Sequence, residues 1–268
     1  MVKENTENYS VLDQPKVLRH LFHPRFENGY RTVQANREDI MIRVDKGAEL
    51  SASFHFTHHD APVLLFFHGN GEIVSDYDDF GKFYNDMGLN FFVVDYRGYG
   101  QSTGTPSVTS MMKDCHKVFD FVLVYMQKNK LTGPLCVMGR SLGSASAIEL
   151  GAARADEVNC LIIESGFAHI SPLLKKLGAD PELMGFKEGQ GFENVDKIRT
   201  FLKPCLVIHA EFDRIIPFSE GKALFDACCS NNKTLLLVEG ANHNDIFFVG
   251  MNSYLEHIKA ICHLSLNI

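Results

Sequence analysis

The residues best suited to covalent chemistry lie at 139–143, where Gly139-Arg140-Ser141-Leu142-Gly143 follows the apolar run LCVM and precedes the small-residue stretch SASAIELGAA. G-x-S-x-G is a weak pattern by itself. Between a buried strand and a helix, however, it describes a turn so tight that the serine is forced into a strained backbone conformation and its hydroxyl is lifted clear of a sheet. Glycines two residues to either side avoid clashes that a Cβ would produce. The same turn sets Ser141 at a helix N-terminus, where unsatisfied N–H groups and the helix dipole favour developing negative charge. A hydroxyl is a weak nucleophile and needs a base, and the base needs an orienting acid. Asp213 in AEFDRIIP and His243 in EGANHND each follow an apolar run directly, and the chain order Ser141, Asp213, His243 fits a parallel sheet carrying such a turn. The oxyanion of a tetrahedral intermediate would need hydrogen-bond donors. HGNG at 68–71 follows the run VLLFF, and the backbone N–H groups of Asn70 and Leu142 are the expected pair, with His68 holding the loop.

These side chains need a scaffold that brings 68–71, 141, 213 and 243 to one edge, and the pattern of apolar runs supplies it. IMIRV (40–44) and ELSASFHF (49–56) alternate and flank a Lys-Gly turn, which predicts an antiparallel hairpin. VLLFF (63–67), FFVVDY (91–96), LCVMG (135–139), CLIIES (160–165), CLVIHA (205–210) and TLLLVE (234–239) are short apolar runs of the kind buried on both faces of a parallel sheet. Helical spacing separates them, clearest in Met111, Met112, Cys115, Val118, Phe119, Val122 and Met126. The reading is an α/β fold: about eight strands, mostly parallel with the first antiparallel, helices on both faces, in one domain over 39–268 behind a lead-in at 1–38 anchored by Leu18, Leu21 and Phe22. Asp95, Arg97 and Gly98 read as a supporting turn after the fourth strand.

Composition excludes several function classes. The chain has 268 residues with a net charge of −7 and no dense basic run, which argues against nucleic acid as a partner. No apolar run is long enough for a membrane span. The N-terminus carries no signal-peptide pattern. Seven cysteines, odd in number and mostly inside apolar runs, fit reduced thiols in a cytoplasmic protein, so the sequons at Asn8 and Asn232 read as chance matches. His20 with His23, and His58 with His59 and Asp60, lack any metal-ligand spacing, and no metal or cofactor is expected. Vicinal Cys228 and Cys229 read as packing. Oligomeric state leaves no mark on the sequence.

Taken together, HGNGE (68–72), VVDYRGYGQSTGTPS (93–107) and GRSLGSASAI (139–148) resemble the α/β-hydrolase superfamily over nearly the whole chain, and within it the Bem46-like branch that is similar to serine aminopeptidases. The resemblance implies Ser141 as nucleophile, His243 as base and Asp213 as acid. Glu164, after the sixth strand, is the minor alternative for the acid, and Ser144 departs from the glycine of many members. In this superfamily a lid follows the sixth strand; 166–191 leaves room for one or two short helices, ISPLLKKL among them, and so implies an open cleft and a small or flexible acyl substrate. Phe167, Phe218 and Phe247 are candidates for an apolar acyl pocket, with core packing the alternative. The expected chemistry is hydrolysis of a carboxylic ester, thioester or amide through an acyl-Ser141 intermediate. The alternatives are an aminopeptidase-like amide hydrolase, or a catalytically weak protein that holds a small molecule in the same pocket. A dehalogenase would carry Asp at the position of Ser141.

Overall fold

The computed structural model describes residues 9–27, 31, 33–186, 189 and 191–264; Asn8 and the first part of the lead-in lie outside them. Eight strands form one sheet: β1 Arg37–Asp45, β2 Ala48–His55, β3 Val63–Phe67, β4 Asn90–Val94, β5 Leu135–Arg140, β6 Cys160–Glu164, β7 Cys205–Ala210 and β8 Lys233–Val238. Their order is β1-β2-β4-β3-β5-β6-β7-β8. β1 pairs antiparallel with β2, and β2 antiparallel with β4. Every later neighbour is parallel. The two alternating segments thus lie in β1 and β2, and the six apolar runs supply β3 to β8.

Strands β3 to β7 are buried on both faces apart from the partly exposed Arg140, which is why their sequences are continuous apolar runs. Alternate residues feed two separate cores. Leu65, Phe67, Val137, Leu161 and Val207 pack with the buried stripe of α3 (Val108–Lys128), with α4 (Gly143–Ala153) and with Leu224 of α7 (Phe218–Ala227). Leu64, Phe66, Met138, Ile162 and Ile208 pack on the other face with Tyr84 of α2 (Phe80–Asp86) and with Tyr254 and Ile258 of α8 (Ile246–Leu264). The α3 stripe follows the three-and-four spacing of the sequence, and its N-terminus is capped by Ser107, whose hydroxyl accepts the Ser110 N–H at 3.0 Å.

The lead-in is more structured than its composition suggests. A helical turn at Tyr9–Val11 and helix α1 (Pro15–Leu21) bury Leu12, Val17, Leu21 and Phe22. Beyond α1 the chain lies along the loop after β4, where Gly100 N–H donates to the Arg25 carbonyl at 2.8 Å and Glu27 N–H to the Gly100 carbonyl at 3.2 Å. Within 166–191 the described residues include α5 (Ile170–Lys176), which packs on α1, and α6 (Asn194–Arg199) follows shortly after. No disulfide joins any of the seven cysteines, six of which are buried. Among the described residues no helix is long and apolar enough to cross a membrane.

Candidate active site

Strand β5 turns into α4 through Ser141, whose φ of +51° is the left-handed conformation that a non-glycine residue adopts only at a price of about 1–3 kcal/mol. The surroundings impose it. The Ser141 N–H donates to the Glu164 carbonyl at 2.9 Å, extending the β5–β6 ladder. A Cβ on Gly139 would lie 2.8 Å from the Ser144 Cα, and one on Gly143 2.8 Å from the His68 carbonyl oxygen, with still closer backbone neighbours in each case. Both glycines are therefore required for strand, turn and helix to close on one another. Ser144 uses its hydroxyl to donate to the Ser141 carbonyl at 2.6 Å, so the departure from glycine adds a bond across the turn.

Asp213 and His243 arrive from the ends of β7 and β8. Asp213 Oδ1 accepts the N–H groups of Ile215 and Ile216 at 2.9 and 2.8 Å, which fixes the carboxylate. Its Oδ2 lies 2.6 Å from His243 Nδ1, and His243 Nε2 lies 3.1 Å from Ser141 Oγ. A carboxylate can only accept, so the proton sits on Nδ1 and Nε2 is left to accept from the hydroxyl. Burial works to raise the Asp213 pKa, but the hydrogen bond and charge of His243 and the backbone donors outweigh it and hold the carboxyl below its ordinary value. A further histidine, which the sequence pattern did not single out, stands behind Asp213. His209 Nε2 donates to the Ile216 carbonyl at 2.8 Å and lies 3.6 Å from Asp213 Oδ2, with burial pushing its pKa down.

The segment 68–71 stands beside the turn. His68 is buried, with Nε2 3.0 Å from Asp95 Oδ1 and Nδ1 2.8 Å from the Gly69 carbonyl, while Tyr96 donates to the His68 carbonyl at 2.6 Å. The Asn70 side chain is clamped: Oδ1 accepts from the Tyr99 hydroxyl at 2.6 Å and from the His23 N–H at 2.8 Å. Among the described residues the backbone N–H groups of Asn70 and Leu142 have no protein acceptor. The Ser141 N–H, by contrast, is committed to the sheet.

A cavity of about 230 Å³ lies over Ser141, lined on its apolar side by Leu21, Leu142, Leu173, Leu177 and Ile215 and on its polar side by His23, Asn70, Glu72, Arg140, His243 and Asn244. None of the three expected phenylalanines lines it. Phe167 is fully buried against Phe192, Phe218 packs edge-on to His209, and Phe247 lies on the α8 face among Phe80, Phe83 and Tyr254. The apolar wall comes instead from Leu21 at the end of α1 and from Leu173 and Leu177 of α5 and its C-cap, with Leu142 and Ile215 beside them. Glu164 is not directed at His243; its carboxylate pairs with Arg140 and accepts from the Tyr254 hydroxyl at 2.6 Å. Asp245 accepts the Asn242 N–H at 2.7 Å. His23 is engaged with Asn70, and His58 with Asp60 at the surface. The one set of metal-ligating types gathered among the described residues is Cys136, Cys160 and Cys262, with sulfurs within 4.8 Å of one another. It is buried in the core, and burial and the neighbouring thiols push Cys160 well above the ordinary thiol range, toward protonated packing groups.

The fold and these residues define a class, and comparison with known proteins agrees. The family model described as serine aminopeptidase, S33, matches residues 58–184, and the chain belongs to the α/β-hydrolase family. It is 31% identical over 230 residues to alpha/beta hydrolase domain-containing protein 17B of Homo sapiens, covering 83% of this chain and 74% of that protein. It is 29% identical over 187 residues to protein bem46 of Schizosaccharomyces pombe, covering 69% of this chain and 62% of that one. In fold it is similar to the Pyrococcus furiosus esterase Pf2001, with a TM-score of 0.72 at 18% identity, covering 89% of this chain and 97% of that structure.

Proposed function

We propose that the chain is a serine hydrolase that cleaves a carboxylic ester, thioester or amide bond, esters foremost, through an acyl-Ser141 intermediate. The observation that carries this reading is the hydrogen-bonded line from Ser141 Oγ to His243 Nε2 at 3.1 Å and from His243 Nδ1 to Asp213 at 2.6 Å. As Ser141 Oγ attacks the substrate carbonyl carbon, His243 Nε2 takes its proton, and Asp213 stabilises the imidazolium without itself being protonated. The carbonyl oxygen becomes an oxyanion held by the N–H groups of Asn70 and Leu142. Collapse of the tetrahedral intermediate breaks the bond to the leaving group, which departs with the proton from His243. Water then gives a proton to His243 and attacks the acyl carbon. The second collapse releases the acid and returns the proton to Ser141.

Esters and thioesters are favoured over amides because an alkoxide or thiolate leaves more easily than an amine. The leucine wall suits a small or flexible acyl chain. The serine aminopeptidase description of the matching family model keeps amide cleavage as a second reading. Buried cysteines without disulfides fit a cytoplasmic setting. A fluorophosphonate probe tests the proposal: wild type should be labelled at Ser141 and Ser141→Ala should not. Folded wild type that resists labelling would overturn it. p-Nitrophenyl esters of graded length, run beside aminoacyl amides, separate the two readings.

A further inference from the structure

We propose that Arg140, the variable residue of G-x-S-x-G, is a positioning residue that locks the His243 loop and the oxyanion loop into one frame with the nucleophile. The inference rests on the acyl-Ser141 reading and goes beyond it to a residue whose guanidinium is held by protein acceptors on every nitrogen. Strand alternation puts Arg140 on the same face as Cys136 and Met138, facing α2 and α8; it borders the cavity over Ser141 together with Glu72, and its backbone is covalently joined to Ser141.

All three guanidinium nitrogens are engaged. Nη2 donates to the His243 carbonyl at 2.8 Å, which ties down the main chain of the base itself. Nη1 pairs with Glu72, and Nε donates to Glu164 Oε1 at 3.0 Å. Glu72 then passes the constraint on: its Oε2 accepts the Gly69 N–H at 2.6 Å and the Tyr77 hydroxyl at 2.6 Å. Gly69 is the residue immediately before Asn70. Glu164 is anchored on β6 and by the Tyr254 hydroxyl of α8.

From one side chain, therefore, a single hydrogen bond reaches the base and two interactions in series reach the oxyanion loop. Gly69 itself fits this arrangement, because a Cβ there would lie 2.7 Å from Arg140 Nη1 and 3.0 Å from Glu72 Oε2. The planar fork of arginine meets three acceptors in fixed directions, which the single ammonium of lysine cannot do.

Steady-state ester hydrolysis and the fluorophosphonate labelling rate are to be measured for Arg140→Met, Arg140→Lys and Glu72→Gln, with folding checked by circular dichroism. Misplacing catalytic groups by about 1 Å lowers rates about 100-fold. Arg140→Met should lose about that factor in kcat and in labelling rate, with KM changed less than about threefold, because the guanidinium nitrogens are committed to His243, Glu72 and Glu164 and not to the apolar wall of the cavity. Arg140→Lys should recover part of the loss, and Glu72→Gln should lose about tenfold, since the amide still accepts from Gly69 but no longer holds the guanidinium by charge. Should Arg140→Met fail to fold, the other two variants decide the question. Folded variants that keep wild-type kcat, or that lose activity through KM alone, overturn the proposal and leave the acyl-Ser141 reading intact. A Ser141→Ala variant with wild-type activity would instead overturn that reading.

Discussion

Gly143→Ala probes the join between the Ser141 turn and the 68–71 loop proposed to supply an oxyanion donor. The added Cβ would lie 2.8 Å from the His68 carbonyl oxygen and closer still to that of Phe67, both backbone atoms at the end of β3. Ordinary separation is about 3.5 Å, so the start of α4 and the 68–71 loop must part by roughly 1 Å. That displacement falls directly between Ser141 and Leu142 on one side and the N–H group of Asn70 on the other. The expected loss in kcat is about 100-fold. Overpacking of this kind costs about 1–3 kcal/mol, and at roughly 2–4 °C per kcal/mol for a chain of this size the melting temperature should fall measurably. Gly71→Ala is the control. It meets nothing within 4 Å and changes only a φ of +77°, so it should lose stability of about 1–3 kcal/mol with no steric push on the nucleophile turn. The assay is turnover of p-nitrophenyl butyrate together with thermal melts followed by circular dichroism. Gly143→Ala with kcat within threefold of wild type and an unchanged melting temperature would refute the reasoning.

Asp213→Asn should lower kcat about 10³- to 10⁴-fold with little change in KM, because His243 Nδ1 loses its anionic acceptor; a drop below tenfold would remove Asp213 from the proposed role. His55 on β2 is fully buried with neither ring nitrogen hydrogen-bonded, and burial pushes its pKa down to about 4. Because the folded value lies below the unfolded one of about 6.5, the unfolded chain binds more protons between those limits. Stability is therefore complete above pH 6.5 and is lost as pH falls toward 4, by up to roughly 3 kcal/mol. Urea melts across that range should show a shallower fall for His55→Leu, and equal slopes would contradict the assignment. Leu173→Ala and Leu177→Ala should shift ester preference toward longer acyl chains, and an unchanged profile would remove the leucine wall from the acyl site.

Much of this arrangement is legible in the chain because parallel strands buried on both faces must be continuous apolar runs. The residues that follow those runs then fall on one edge, which is why Ser141, Asp213 and His243 meet as their positions suggest. The apolar wall of the cavity over Ser141 is hidden for the opposite reason. Leu21 and Leu173 sit in short helices, and Leu177 caps the second of them; their orientation depends on tertiary packing between α1 and α5, whereas Phe167 and Phe247 follow strand ends yet face the cores. Arg140 was concealed by its place in the motif, where any residue is allowed. Strand alternation puts it opposite the α4 face, but its partners Glu72 and Glu164 are remote in sequence and give no local signal. Glu164 stands where another acid could serve, yet Arg140 and Tyr254 claim both of its oxygens.

The central claim is that Ser141 carries the acyl group. Rapid quenching of wild type during turnover of p-nitrophenyl butyrate, followed by peptide mass spectrometry, should find a butyryl adduct on the peptide containing Ser141, with an initial burst of p-nitrophenol where deacylation is the slower step. Ser141→Ala should show neither adduct nor turnover. Undiminished hydrolysis by Ser141→Ala, or an adduct confined to another residue, would contradict the account.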